Sequence, residues 1–211
     1  MRARRLFIIF ISMFMGILFA TLLLKSNCLA FDVKPYTKIG GMELIEKDIS
    51  EGHKAFFLLG VDVSKQFVSY EATFTAEGFM MGEAVDEDPE LLHNGFRVGA
   101  QSKLLNEGSL EPFIAANYEQ WNRDANGKYP GSFTSLDFVD VVFGFSFEKE
   151  HMYSRIAGIY PVWSSEFNGE LGFEAGLGIK LGNVRIGYSY KMIAFSDLTS
   201  NFSGAEISFE F

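Results

Sequence analysis

The chain of 211 residues has one cysteine, five prolines, two tryptophans and three histidines. One cysteine excludes an internal disulfide framework and a cysteine-rich metal site. His53, His93 and His151 are scattered, and none sits in an Asp-x-His or His-x-Ser spacing, so no convergent catalytic constellation forms around them. Basic residues are also scarce: 18 Lys and Arg face 27 Asp and Glu, a net charge of −9. Phosphate binding needs a basic surface, so this balance argues against a nucleic-acid partner. Beyond Leu24 no apolar run approaches the length of a membrane-spanning helix. What is abundant instead is 23 Phe, 8 Tyr and 21 Gly. Aromatics and glycines with little proline suit long strands with crowded and open faces, not a helical bundle.

The first thirty residues carry an address. Arg2, Arg4 and Arg5 precede an apolar stretch, Leu6 to Leu24, and Cys28-Leu29-Ala30 follows with small residues flanking a cut after Ala30. Basic end, apolar segment and small-residue site are the order of a secretory signal peptide. Residues 1–30 are therefore expected to be removed, and 31–211 to be the mature domain. The alternative is an uncleaved anchor, since the apolar stretch is long enough to span a bilayer. Removal takes four basic residues (Arg2, Arg4, Arg5, Lys25) and no acid; 18 less 4 leaves 14 against 27, a net of −13.

The remainder alternates with period two. Leu171, Phe173, Ala175, Leu177, Ile179 and Leu181 oppose Gly172, Glu174, Gly176, Gly178 and Lys180. Val184, Ile186, Tyr188, Tyr190 and Met192 oppose Arg185, Gly187, Ser189 and Lys191, and Ala205, Ile207, Phe209 and Phe211 oppose Gly204, Glu206, Ser208 and Glu210. Val139 to Phe147, Val68 to Glu77, Phe57 to Ser64 and Gly95 to Gln101 follow the same rule, with Val142 an exception. This is a strand signature, incompatible with a helical stripe. Glu111–Arg123 and Met152–Val162 also read as strands without a clear facing, which leaves Glu119 and Arg155 unassigned. Val33–Ile45 is the weakest, interrupted by Pro35 and Gly40-Gly41. Ten segments result. Short connectors are expected at Ser64-Lys65-Gln66, Leu105–Leu110, Glu148–His151 and Leu181-Gly182-Asn183. Longer polar ones are expected at Glu46–Gly52, Gly82–His93, Asp124–Ser132, Trp163–Gly169 and Ala194–Asn201.

An even strand count with alternating short turns and longer loops is the layout of an up-and-down transmembrane β-barrel. The closing run Ala205-Glu206-Ile207-Ser208-Phe209-Glu210-Phe211 resembles the terminal strand of bacterial outer-membrane barrels, and the whole mature pattern is most like the small OmpA/OmpX-type members. That resemblance implies an all-β antiparallel barrel of ten strands, or eight if Val33–Ser64 lies outside the wall, in the bacterial outer membrane. It also implies that Phe209 and Phe211 carry a signal read by the barrel-assembly machinery. Tyr70, Trp121, Tyr153, Trp163, Tyr190 and Phe211, at segment ends, are expected to form interfacial girdles. A soluble lipocalin-type barrel would alternate too, but glycines at 172, 176, 178, 187 and 204 suit a crowded lumen better than a solvated face.

If the apolar face meets lipid, Asp62, Glu71, Glu77, Arg97, Asp140, Glu174, Lys180, Arg185, Lys191 and Glu206 point inward. There they must pair or stay hydrated, and Glu174, Arg185 and Glu206 are expected to be cross-strand neighbours. The first functional expectation is a lumen plugged by charge, with a structural or surface-display role. The second is a narrow pore for small solutes or ions. An envelope enzyme comes third, with no catalytic residues to name, and no cofactor is implied. Glu83, Asp86, Glu87, Asp88 and Glu90 could bridge through divalent ions to lipopolysaccharide, although their spacing matches no ordered calcium loop and no metal site is assigned. Asp124-Ala125-Asn126-Gly127 reads as a turn. Oligomeric state is not legible.

Overall fold

The computed structural model describes residues 31–47, 49–50, 52–85, 88–105, 110–123 and 134–209, with backbone alone for 83–85 and 88–92. The expected signal peptide, Asp124–Gly127 and Phe211 lie outside the described residues, as do the acidic side chains between Gly82 and His93. The strands are β1 (Asp32–Glu46), β2 (Ile49–Ser50), β3 (Lys54–Gln66), β4 (Tyr70–Val85), β5 (Asp88–Leu104) and β6 (Leu110–Arg123). They continue with β7 (Ser135–Lys149), β8 (Met152–Ser164), β9 (Gly169–Leu181), β10 (Val184–Phe195) and β11 (Leu198–Phe209). Each pairs antiparallel with its neighbour, and β1 pairs with β11, so the sheet closes on itself. β2 is a two-residue arm on the end of β1; the other strands make a ten-stranded wall.

The segment weakest in sequence closes the barrel. Pro35 and the Gly40-Gly41 pair are built into β1, which pairs with β3 from Asp32 to Met42 and with β11 from Tyr36 to Glu46. Gly40 sits opposite Gly204 at this seam. A Cβ on Gly40 would lie 2.5 Å from the Gly204 Cα, closer than any side chain tolerates. The glycines that break the pattern therefore permit a close approach of the two strands at the seam.

Both ends of the described chain, and the turns at 67–69, 150–151 and 182–183, lie at one end of the barrel, here the terminal end. Leu104 and Leu110, the facing ends of β5 and β6, lie at that end too, whereas β1 and β3, β4 and β5, β6 and β7, β8 and β9, and β10 and β11 are joined at the opposite, loop end. Several expected connectors move. The turn placed at Ser64-Lys65-Gln66 falls at Phe67-Val68-Ser69, because β3 keeps pairing with β4 to Gln66. Gly82–His93 is largely hairpin, the ladder running out to Val85 opposite Asp88. Ala194–Asn201 shrinks to a turn at Ser196-Asp197, because β10 and β11 pair up to Ala194 opposite Thr199. The ten wall strands span 12 to 17 residues, against the roughly 9–11 needed to cross a bilayer.

Outward faces carry a belt of exposed apolar side chains, including Ile39, Phe74, Val98, Ile114, Phe143, Phe145, Ile156, Tyr160, Leu177, Ile186 and Ile207. Nearer the loop end the outward positions turn polar: Glu43, Gln120, Asn122, Asp137, Glu170, Thr199 and Asn201. There Asp137 accepts hydrogen bonds from Tyr118 and Gln120, both 2.9 Å, and Tyr190 donates to Asn201 at 3.0 Å. Of the expected girdle residues, Tyr70 and Trp163 are exposed on the outside. Trp121 and Tyr153 point into the lumen instead, a correction forced by the facing of β6 and β8.

Candidate functional site

The lumen divides along its axis. Its loop-end half holds a cluster of buried apolar side chains from seven wall strands: Met42, Leu44, Phe56, Leu58, Phe79, Met81, Trp121, Leu136, Phe138, Ile193, Phe195, Leu198 and Phe202, with Tyr36 beneath. Met81, Leu136 and Phe138 have no exposure at all. The rings form a continuous chain: Phe202–Phe56 at 4.5 Å, Phe56–Phe79 at 5.7 Å, Phe79–Trp121 at 6.1 Å, Trp121–Phe138 at 5.3 Å and Phe138–Phe195 at 5.2 Å. The last three are edge-on or nearly so, the arrangement aromatic quadrupoles prefer. Phe167, on the 165–168 loop, extends the chain to Phe195 at 6.0 Å. Trp121 is satisfied by donating its indole N–H to Glu119 at 3.1 Å.

Beneath this plug lies a layer of ion pairs. The Arg97 Nε lies 2.5 Å from Glu77, and its Nη1 lies 3.8 Å from Glu119. Glu119 also takes the Lys191 ammonium at 2.7 Å, a bridge thrown across the lumen from β10 to β6. The Tyr36 hydroxyl donates to Glu77. Lys38 pairs with Glu206 at 3.0 Å. Asp140, fully buried, accepts from Asn117 at 2.6 Å on one oxygen, while its Oδ2 has no hydrogen-bond partner among the described residues. Removing one member of such a buried pair costs more than the pair itself contributes, so the layer braces the wall against change.

The terminal-end half is open and lined by polar and charged side chains. Arg155 binds Glu174 at 3.2 Å and donates to Gln101 at 2.8 Å, with its guanidinium 3.8 Å above the Phe113 ring. Arg185 makes a two-pronged contact with Glu148 at 2.8 and 2.9 Å, and Lys180 joins the same carboxylate at 3.1 Å. Lys103 lies between Glu111 at 3.0 Å and Glu71 at 3.6 Å. Cavities follow one another along the axis. About 430 Å³ lies at the mouth around Lys34, Lys103 and Arg185. About 230 Å³ lies around Asp62, Arg155 and Glu206, and about 60 Å³ beneath the plug.

All eight residues expected to form the lumen network (Asp62, Glu71, Arg97, Asp140, Glu174, Arg185, Lys191 and Glu206) face inward. Lys191 sits directly opposite Glu174, but the hydrogen bonds and ion pairs described for the eight run to other residues. Each finds its partner elsewhere: Thr75, Lys103, Glu77 and Glu119, Asn117, Arg155, Glu148, Glu119 and Lys38 respectively. The expected Glu174–Arg185–Glu206 contact is therefore corrected. Arg185 sits opposite Lys180 and Ser208, and Glu206 opposite Gly187, so the three acid and base side chains occupy different levels. Glu119 and Arg155, unassigned in sequence, are the hubs. Their inward facing was hidden because Phe113, Ala115, Trp121 and Ile159 share their faces. His93 is buried at the loop end, while His53 and His151 are exposed. Among the described residues no group of three or more His, Cys, Asp or Glu is placed to hold a metal ion.

A closed wall with an apolar exterior belt and a charged interior satisfies every backbone group while meeting hydrocarbon, the one strand architecture that lipid permits. The fold is a closed ten-stranded antiparallel β-barrel with the exterior that a membrane-crossing barrel presents. No protein-family model matches it, and no curated protein matches it in sequence. Solved structures with a similar fold include the attachment invasion locus protein Ail of Yersinia pestis (8% identity, 87% of this chain and 100% of that chain, TM-score 0.43). The translocator domain of the autotransporter NalP from Neisseria meningitidis matches at 10% identity over 88% of this chain and 90% of that chain, TM-score 0.48. Outer membrane phospholipase A from Escherichia coli matches at 9% identity over 85% and 92%, TM-score 0.41.

Proposed function

We propose that residues 31–211, freed of the leader, form a closed outer-membrane barrel. Its loop end stands in the external water as a rigid platform for surface contact or envelope integrity. The observation that supports this reading is the unbroken aromatic chain from Phe202 to Phe195, which fills the loop-end lumen where a pore would need its exit. The charges beneath brace the wall rather than plug it. Lipopolysaccharide is the natural neighbour of the loop end, and the assembly machinery the reader of Phe209 and Phe211; no catalytic step is assigned.

The cavities that open at the terminal mouth favour one second reading, a solute path from the periplasmic side. Conductance of refolded protein in a planar bilayer, with folding verified by a heat-dependent gel shift, separates the two. Folded, silent protein supports the closed platform. Discrete, reproducible steps from the unaltered chain refute it and move the pore to the front.

A further inference from the structure

At the terminal end, the outward face of β3 and β4 carries a group that the lumen and plug do not use. Lys65 is an outward-facing lysine whose Nζ lies 5.3 Å from the Phe31 ring centre and 5.7 Å from that of Phe67. Phe67 stacks on Tyr70 at 4.6 Å with the rings 14° from parallel. The turn that carries them projects Val68 completely into its surroundings, and Leu104 on the adjoining strand is 56% exposed. The turn is held rigidly: the Phe67 amide donates to the Tyr70 carbonyl at 2.8 Å, and the Leu105 amide to that of Ser69 at 3.0 Å.

An ammonium has three donors and no acceptor, and ring faces satisfy it only in part. Among the described residues Lys65 has these rings and no carboxylate paired with it. It stands where the apolar belt ends, with exposed Phe67 and Val68 beside it. Such a place asks for an anion with hydrocarbon attached. We propose that Lys65, Phe31, Phe67, Val68, Tyr70 and Leu104 form a binding site for an anionic glycerophospholipid of the leaflet at the terminal end. The phosphate takes the free side of the Lys65 ammonium, and the acyl chains lie along Leu104 and the belt above it. This rests on the membrane-spanning reading, since in a soluble barrel the same face would meet water.

The test is native mass spectrometry of the folded full chain in micelles, titrated separately with phosphatidylglycerol, phosphatidylcholine and inorganic phosphate. Unaltered protein should retain phosphatidylglycerol more tightly than phosphatidylcholine. Lys65→Gln should weaken phosphatidylglycerol about fivefold, equivalent to ~1 kcal/mol for one lysine at an anionic surface, and leave phosphatidylcholine unchanged. Lys65→Arg should keep the preference, which guards against a folding defect in the Gln variant. Equal retention of the two lipids, or no change in Lys65→Gln, overturns the site. Inorganic phosphate bound as tightly as the lipid overturns the lipid as its source. Failure of the membrane reading shows separately, as unaltered protein that gives no heat-dependent gel shift in vesicles.

Discussion

Replacing Phe138 by alanine tests the plug at its most connected point. The ring is fully buried and meets Trp121 edge-on at 5.3 Å and Phe195 at 5.2 Å. Truncating a buried Phe costs about 3–5 kcal/mol, from the lost transfer energy and the cavity left behind. The two edge-on contacts, at about 0.5–1.5 kcal/mol each, place the expected loss in the upper part of that range. The assay is reversible urea unfolding in lipid vesicles followed by tryptophan fluorescence, in a Trp163→Phe background. The chain has two tryptophans, so Trp121 then reports alone, from inside the cluster. Phe138→Leu, which fills most of the space, should recover more than half of the loss. A Phe138→Ala variant less than about 1 kcal/mol below its parent would refute the view that these rings are a packed core.

Other expectations follow from the lumen. In a double-mutant cycle Lys191→Met and Glu119→Gln should couple by about 1–3 kcal/mol, because they bridge at 2.7 Å. Glu174→Gln and Arg185→Gln should be additive within about 0.5 kcal/mol, since their partners differ; strong coupling in unfolding experiments would contradict the geometry. Gly60→Ala should cost about 1–3 kcal/mol, because the new methyl meets the Tyr36 ring. The double variant Tyr36→Ala/Gly60→Ala should then be no less stable than Tyr36→Ala alone, and simple additivity of the two losses would count against that contact. Deleting Phe211 should block insertion into the outer membrane in cells while export continues, and normal insertion would remove the terminal-strand signal.

Strand number and the facing of most lumenal charges were legible because alternation is clear on most strands, whereas inward Phe113, Ala115, Val142 and Ile159 blur it on β6 to β8 and hid the facing of Glu119 and Arg155. Leu171–Leu181 and Val184–Met192 show it without exception. The pairing of those charges was not legible. Facing depends on a residue's own strand, whereas pairing depends on stagger between strands, and Lys191 meets Glu119 across a gap of 72 residues. The loop end misled for a different reason. On β7 the inward face changes from Glu148 and Ser146 to Phe138 and Leu136, while the outward face changes from Phe145 and Phe143 to Asp137 and Ser135. β11 does the same: Ser208 and Glu206 give way inward to Phe202 and Leu198, and Ile207 gives way outward to Asn201 and Thr199. The period persists but its phase reverses. A reversal looks like the end of a strand, which is why Ala194–Asn201 read as a loop and Trp121 as a girdle residue.

That reversal supplies the physical reason for the plug. Where hydrocarbon surrounds the wall, polar side chains can only turn inward; where water surrounds it, the apolar ones must. Strands several residues longer than a crossing therefore acquire an ordinary globular core in their surplus length, and a barrel with such a core is shut. Opening it would mean hydrating side chains that are now fully buried, at about 1.5–3 kcal/mol each. Exposing only Leu44, Met81, Phe138 and Leu198, each at 1% or less, would cost about 6–12 kcal/mol, as much as the whole stability of a typical domain. Movement of the outer loops does not reduce this cost, because the plug residues sit on paired wall strands. A conducting state would require the wall itself to widen, and the Lys191–Glu119 and Arg123–Glu46 bridges, at 2.7 and 3.3 Å across the lumen, hold it at its present width.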